Sequence, residues 1–239
     1  MIELLAPAKL TVSLRLTGVR PDGYHLIDAE MVSLDLCDRL WMSPGRGVEM
    51  RGRYAGELAG PTDGTDLVSK ALRLIGHEAS VVVEKNIPAG AGLGGGSSDA
   101  AAILRWANFD DLAAAAELGA DVAYCLVGGR ARVRGIGEIV EPLDERRQTF
   151  TLVTPPVHCS TPVVYRVWDE LGGPTAPMDA VEPNDLTEAA LMAFPEIARW
   201  RDELAEASGL TPRLAGSGST WFVEGSFPGA GRQVVTTLS

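Results

Sequence analysis

Histidine and cysteine are scarce in this chain, and they are spread without the spacing of a metal site. Cys37, Cys125 and Cys159 are odd in number, far apart and without a C-x-x-C pair, and His25, His77 and His158 are equally scattered. That pattern excludes a disulfide scaffold and any readable zinc site, and it suits a reducing compartment. Cations are short as well: 21 lysines and arginines face 32 aspartates and glutamates, a formal net charge of −11. Nucleic acids and anionic membranes both call for a basic patch, so neither is expected as a partner. No apolar run approaches the ~18 residues of a spanning helix, and the first residues lack the basic start and apolar stretch of a signal peptide. A cytoplasmic protein is the expectation.

With 239 residues, 46% apolar and 22% charged, the composition is that of an ordinary globular protein, long enough for one large domain or two smaller ones. Residues 144–148, Asp-Glu-Arg-Arg-Gln, form a polar break before a fresh strand at 149–153, which predicts domains at 1–147 and 148–239. In so acidic a chain an anionic substrate has to be held by local donors, with help from a divalent cation.

The stretch that supplies such donors is 88–100, Pro-Ala-Gly-Ala-Gly-Leu-Gly-Gly-Gly-Ser-Ser-Asp-Ala. Gly90, Gly92, Gly94, Gly95 and Gly96 allow positive φ and let an anion reach main-chain N–H groups without meeting a Cβ. Residues 80–85 read as a strand and 99–106 as a helix, so the glycines sit at a strand-to-helix turn, with Ser97 or Ser98 as the expected cap. The free amides and dipole of that helix favour a bound phosphate. A Walker A loop is excluded because Ser97 stands where its lysine belongs. Gly90, Gly92 and Gly95 do fit G-x-G-x-x-G, but no second strand ending in an acid follows at the distance a dinucleotide fold needs.

Along the rest of the chain, residues 6–16 alternate as a half-buried strand, with Lys9, Thr11 and Ser13 on one face and Leu10, Val12 and Leu14 on the other. Pro21-Asp22-Gly23 is a turn followed by Tyr24 and His25. Residues 65–76 predict a core helix capped by Thr65 and stopped by Gly76, and 112–118 another helix. Asp121 stands at a helix-to-strand junction before the apolar run 122–127. Arg130, Arg132 and Arg134 alternate in a hairpin, as on a solvated strand pair. Ser160-Thr-Pro opens a helix that reaches Glu170, and 184–192 and 195–207 read as two more. Residues 214–220 form a second small-residue loop before a strand.

The loop at 88–100 resembles the phosphate-wrapping motif of the GHMP kinases. Ala-Pro-Ala-Lys9-Leu, Asp-Gly-Tyr24-His25, the segment 34–40 and Gly-Ala-Asp121-Val narrow the resemblance to the kinases of 4-diphosphocytidyl-2-C-methyl-D-erythritol. This implies an α+β protein of two parts, an N-terminal domain like ribosomal protein S5 domain 2 and a ferredoxin-like C-terminal domain. It also implies a soluble ATP- and Mg²⁺-dependent enzyme, monomer or homodimer, that phosphorylates the 2-hydroxyl of a small cytidylyl sugar alcohol in non-mevalonate isoprenoid synthesis.

Carried over position by position, the resemblance makes Asp121 the catalytic base and Lys9 its partner. Pro88, Gly90, Gly92, Leu93, Gly94, Gly95, Gly96, Ser97 and Ser98 become the ATP-phosphate site, and Thr11, Tyr24, His25 and Tyr165 the substrate pocket, with Tyr165 stacking on the cytosine. The loop at 214–220 resembles the motif that closes against the phosphate loop. The chain departs from the pattern in Thr11 and Asp66, where relatives carry Asn, and in a shorter helical stretch after residue 106. Two other readings therefore stay open: a GHMP kinase for a different small alcohol, and a nucleotide-binding relative without catalysis.

Overall fold

The computed structural model describes residues 1–56, 60–173 and 184–238. Strand β1 (Ile2–Val19) and strand β2 (His25–Ser43) form a long antiparallel hairpin. Its turn is made possible by Gly23, whose φ of +89° a side chain would resist. Around β2 a seven-stranded sheet is completed by β3 (Gly47–Arg51), β4 (Gly60–Pro61), β5 (Ser80–Glu84), β6 (Arg130–Gly135) and β7 (Ile139–Pro142). The end of β2 pairs with β5 and its beginning with β6, while β3 runs parallel to β5.

Helices α1 (Leu67–Leu74), α2 (Gly95–Trp106), α3 (Leu112–Leu118) and α4 (Val122–Val127) share one core with this sheet. At the centre of that core α2 is apolar nearly all round, Ala100, Ala101, Ala102, Ile103 and Leu104 being buried together. A helix so enclosed has to be rich in alanine to let neighbouring backbones close on it.

The second half contributes strand β8 (Thr149–Val153), helices α5 (Thr161–Glu170), α6 (Thr187–Ala193) and α7 (Ala198–Ser208), and strands β9 (Arg213–Leu214), β10 (Trp221–Glu224) and β11 (Arg232–Thr236). Its four strands lie in the order β11-β8-β10-β9 with every neighbour antiparallel, the ferredoxin-like arrangement. Residues 225–231 link β10 to β11 without the usual second helix. Leu10, Val12 and Leu34 from the first sheet, with Ile87 just beyond β5, pack with Phe150, Leu152 and Phe222 from the second, so β1 is covered on both faces. Asp185 bonds the Leu16 amide at 2.8 Å and pairs with Arg15, fixing the segment before α6 to the same strand.

Several local expectations are corrected by this arrangement. β1 is not half-buried: Lys9 and Thr11 are 5% and 2% exposed, because both sides of the strand meet other layers. A register shift between Thr11 and Ser13 also turns Leu14 away from Leu10 and Val12 and onto the face of Lys9, as a β-bulge does. Residues 122–127 are a helix, not a strand, since a short buried apolar run fits either and here α2 and α3 supply the packing. The cap of α1 is Asp66, which accepts the Ser69 amide at 2.8 Å, and Thr65 instead donates to Asp63. The helix expected over 195–207 is broken into a 3-10 turn at Pro195–Ile197 and α7. Arg130, Arg132 and Arg134 do stand on a hairpin strand, with the Arg132 and Arg134 side chains reaching solvent, but β6 is paired on both sides rather than at an edge, and the three form ion pairs with Glu30, Asp28 and Glu141. Among the described residues no helix is long and apolar enough to cross a membrane.

Candidate active site

Lys9 leaves β1 beneath the phosphate loop, and its own amide donates to the Leu93 carbonyl at 3.0 Å. The side chain passes so near the loop that a Cβ on Gly94 would lie 2.7 Å from its Cγ. Its ammonium reaches Asp121 Oδ2 at 3.1 Å and donates to Thr11 Oγ1 at 3.1 Å. Asp121 occupies the N-cap position of α4 yet makes no side-chain cap bond; its carboxylate is turned to Lys9 and keeps 31% exposure. A buried ammonium thus meets a solvent-facing carboxylate at one point.

That point lines a cleft of about 520 Å³ between the two halves of the molecule, which Thr11, Tyr24, His25, Asp121 and Tyr165 also line. His25 and Tyr165 stand ring against ring, centroids 4.8 Å apart, with Trp168 edge-on to His25 at 5.5 Å. His25 Nε2 bonds Asp169 Oδ1 at 2.8 Å, a partner that the sequence did not reveal because it comes from α5. Tyr24 is 60% exposed at the rim, with the Arg20 guanidinium 5.8 Å from its ring centroid. Burial pushes the Tyr165 hydroxyl far above the usual tyrosine range, and the nearby Asp121 charge adds to the rise. The predicted catalytic and substrate residues therefore share one cavity. A second cleft of about 550 Å³, beside Arg146, Arg147 and Thr236, contains none of them.

Gly92 joins this cleft to the phosphate loop. A Cβ there would lie 2.3 Å from the Ala215 carbonyl oxygen, and the Thr220 amide donates to the Ala91 carbonyl at 3.2 Å, so the loop at 214–220 closes directly on the phosphate loop. His158 presses on Gly90 in the same way, its Nδ1 lying 1.9 Å from where a Cβ would stand.

The helix that follows begins earlier than expected. Gly94, at φ +66°, is the N-cap and supplies no side-chain bond, so neither Ser97 nor Ser98 caps α2. Ser98 is buried in the first turns; its hydroxyl donates to the Pro7 carbonyl at 2.6 Å and its amide to Gly94. Pro88 and Leu93 are buried as supports of the loop, while Gly96 is exposed. The helix itself leaves the amides of Gly95, Gly96 and Ser97 without acceptors, and no serine side chain competes for them. This is a cradle of backbone donors at a positive helix end, suited to a polyphosphate. Among the described residues no group of three histidine, cysteine, aspartate or glutamate side chains stands together for a metal.

Known proteins resemble this chain in sequence over most of its length. 4-Diphosphocytidyl-2-C-methyl-D-erythritol kinase from Paracoccus denitrificans (strain Pd 1222) is 38% identical over 233 residues, covering 91% of this chain and 84% of its own length. The protein of that name from Cereibacter sphaeroides strain ATCC 17029 is 38% identical over 248 residues, covering 93% and 88%. The chain belongs to the 4-diphosphocytidyl-2-C-methyl-D-erythritol kinase family. Residues 66–129 of this family member match the GHMP kinases N terminal domain. A crystal structure of 4-(cytidine 5'-diphospho)-2C-methyl-D-erythritol kinase superimposes with a TM-score of 0.78 at 32% identity over 99% of both chains. Homoserine kinase from Cytophaga hutchinsonii, at 18% identity and a TM-score of 0.61, shares the fold.

Proposed function

We propose that this protein is an ATP-dependent kinase that phosphorylates the 2-hydroxyl of 4-diphosphocytidyl-2-C-methyl-D-erythritol, a step of non-mevalonate isoprenoid synthesis. Membership of the family supports the reaction, and the observation that carries it is the Lys9–Asp121 contact in a cleft that runs from Gly92 to the His25 and Tyr165 rings.

Phosphoryl transfer asks mainly for alignment and for neutralisation of charge on the phosphate oxygens. The amides of Gly95, Gly96 and Ser97 would hold the polyphosphate, and Gly90, Gly92 and Gly94 let the chain bend around it. Asp121 would accept the proton of the acceptor hydroxyl, and the Lys9 ammonium beside it would orient that hydroxyl and stabilise its partly ionised oxygen. Tyr165 would stack on the base, while His25 reads its edge with Asp169 fixing the ring; Tyr24 closes the rim. The triphosphate would bring Mg²⁺ with it, since this ion is commonly held by phosphates and water. When bound, the ion offsets charge between the transferred and leaving groups.

The same reading takes residues 1–147 and 148–239 as two domains, supported by the change of sheet between β7 and β8. Thr11 favours a second reading, a GHMP kinase for another small alcohol, because its hydroxyl already accepts from Lys9 and does not supply the reach of an asparagine amide. ADP release measured with the cytidylyl substrate beside homoserine and mevalonate separates the two. Turnover confined to the cytidylyl alcohol is expected, and turnover of another alcohol alone overturns the assignment.

A further inference from the structure

The chain has only three lysines, Lys9, Lys70 and Lys85. Lys9 belongs to the site above and Lys70 is exposed on α1, but Lys85, 4% exposed, is buried where β5 gives way to the phosphate loop. Its ammonium donates to Asp38 Oδ2 on β2 and to Asp99 Oδ2 on α2, both carboxylates almost fully enclosed. Asp38 Oδ1 in turn accepts the amides of Asn86 and Ile87, the latter at 2.8 Å, so the backbone entering the loop is gripped by a carboxylate that the same ammonium holds. Asp99 lies at the loop's exit. A Cβ on Gly95 would lie 3.3 Å from Asp38 Oδ2, which sets the cluster directly behind the leading amides of α2.

Two acids serve one ammonium here, and Asp99 Oδ1 is buried without a hydrogen-bond partner. Such a cluster is a poor route to stability, since apolar packing of equal volume commonly does as well. Its distinguishing feature is position: it joins the two ends of one loop.

We infer that Lys85, clamped between Asp38 and Asp99, is a positioning residue for the phosphate loop: it fixes the spacing of the loop's entry and exit and so the aim of the Gly95, Gly96 and Ser97 amides. The inference rests on the nucleotide reading of that loop. It has an electrostatic corollary. Burial pushes the Asp99 carboxyl up to about 7 against the pull of Lys85, with repulsion from Asp38 adding to the rise. The groups facing it are Lys85 just past the end of β5, Asp38 from β2 and the Cys125 thiol from α4. Ionised, the cluster carries one excess negative charge behind the helix end that receives a polyphosphate; protonated, it carries none.

The test is calorimetric binding of Mg-ADP to the full chain at pH 6 and pH 8.5, for the parent, Asp99→Asn and the double variant Lys85→Met/Asp99→Asn. The double change removes the ammonium without stranding the Asp99 charge. Asp99→Asn should bind within about twofold of the parent at pH 6 and about three- to tenfold more tightly than it at pH 8.5; comparing proteins at one pH cancels the nucleotide's own ionisation. The double variant should bind about tenfold or more weakly at both pH values, with faster amide exchange over residues 86–98. Binding by the double variant within twofold of the parent overturns the inference. So does a parent-to-Asn affinity ratio that does not move with pH, a result that stands even where the double variant does not fold. A parent that binds no Mg-ADP refutes the nucleotide reading instead.

Discussion

The Lys9 ammonium stands 3.1 Å from the Asp121 carboxylate, although one belongs to the first strand and the other opens the helix before β6. Only the fold brings them together: β1 lies along β2, β6 pairs with β2, and α4 packs under α2 in the same core. Thr11, two residues along β1 on the same face, accepts from the same ammonium and fixes its direction.

Lys9→Met retains most of the apolar stem and removes the charge. Steady-state assays should show kcat reduced about 10²- to 10³-fold, the usual cost of losing one strong transition-state donor, with Mg-ADP binding changed little. A variant with near-parental kcat would remove Lys9 from the chemistry.

Gly92→Ala and Gly96→Ala separate the two kinds of glycine in the loop. At Gly92, with φ +79°, the new Cβ meets the Ala215 carbonyl oxygen at 2.3 Å, whereas at Gly96 the nearest atom is Leu67 Cδ1 at 3.7 Å. Thermal melts should show Gly92→Ala destabilised by about 1–3 kcal/mol and Gly96→Ala equal to the parent or slightly better. Equal melting of the two variants contradicts the contact between the loops.

Tyr165→Ala should raise KM for the cytidylyl substrate about tenfold or more, the order of a lost base–aromatic stack, while KM for ATP stays within about twofold. A matching rise in both constants would point to collapse of α5 rather than to a missing stacking face.

The pH dependence of stability follows from Asp99. Its ordinary value is near 3.8 and burial raises it to about 7 in the folded protein. Below both values the carboxyl is protonated in either state and contributes no pH dependence. Between them the unfolded chain has released the proton that the folded one keeps, so stability falls as pH rises through this window and stays reduced above it. Asp99→Asn abolishes that loss. Its Tm relative to the parent should therefore climb by a few degrees, on the order of 5 °C, between pH 4.5 and pH 8. A constant difference across the range contradicts the raised value.

Where chemistry follows local spacing, the chain could be read directly. The glycines of the phosphate loop, the strand at 149–153 and the helix at 112–118 are found where the sequence pattern put them, and Lys9, Asp121, His25 and Tyr165, which the family resemblance singled out, line one cleft. What escaped was non-local. The bulge between Thr11 and Ser13 depends on the partner strand, and it is that bulge which turns Leu14 toward the cleft. Residues 122–127 are apolar enough for strand or helix, and neighbours in the fold decide. Asp169 and the Lys85 cluster were invisible because each carboxylate comes from a different element than the side chain it holds. The caps at Gly94 and Asp66 moved by a few residues, the ordinary uncertainty of a helix end.

The most direct measurement of the central claim is ADP formation by the parent and by Asp121→Asn with ATP, Mg²⁺ and 4-diphosphocytidyl-2-C-methyl-D-erythritol. The parent should turn over, and Asp121→Asn should lose about 10²- to 10⁴-fold in kcat with Mg-ADP affinity retained. Failure of the parent to turn over this alcohol, or an Asn variant as fast as the parent, would contradict the account.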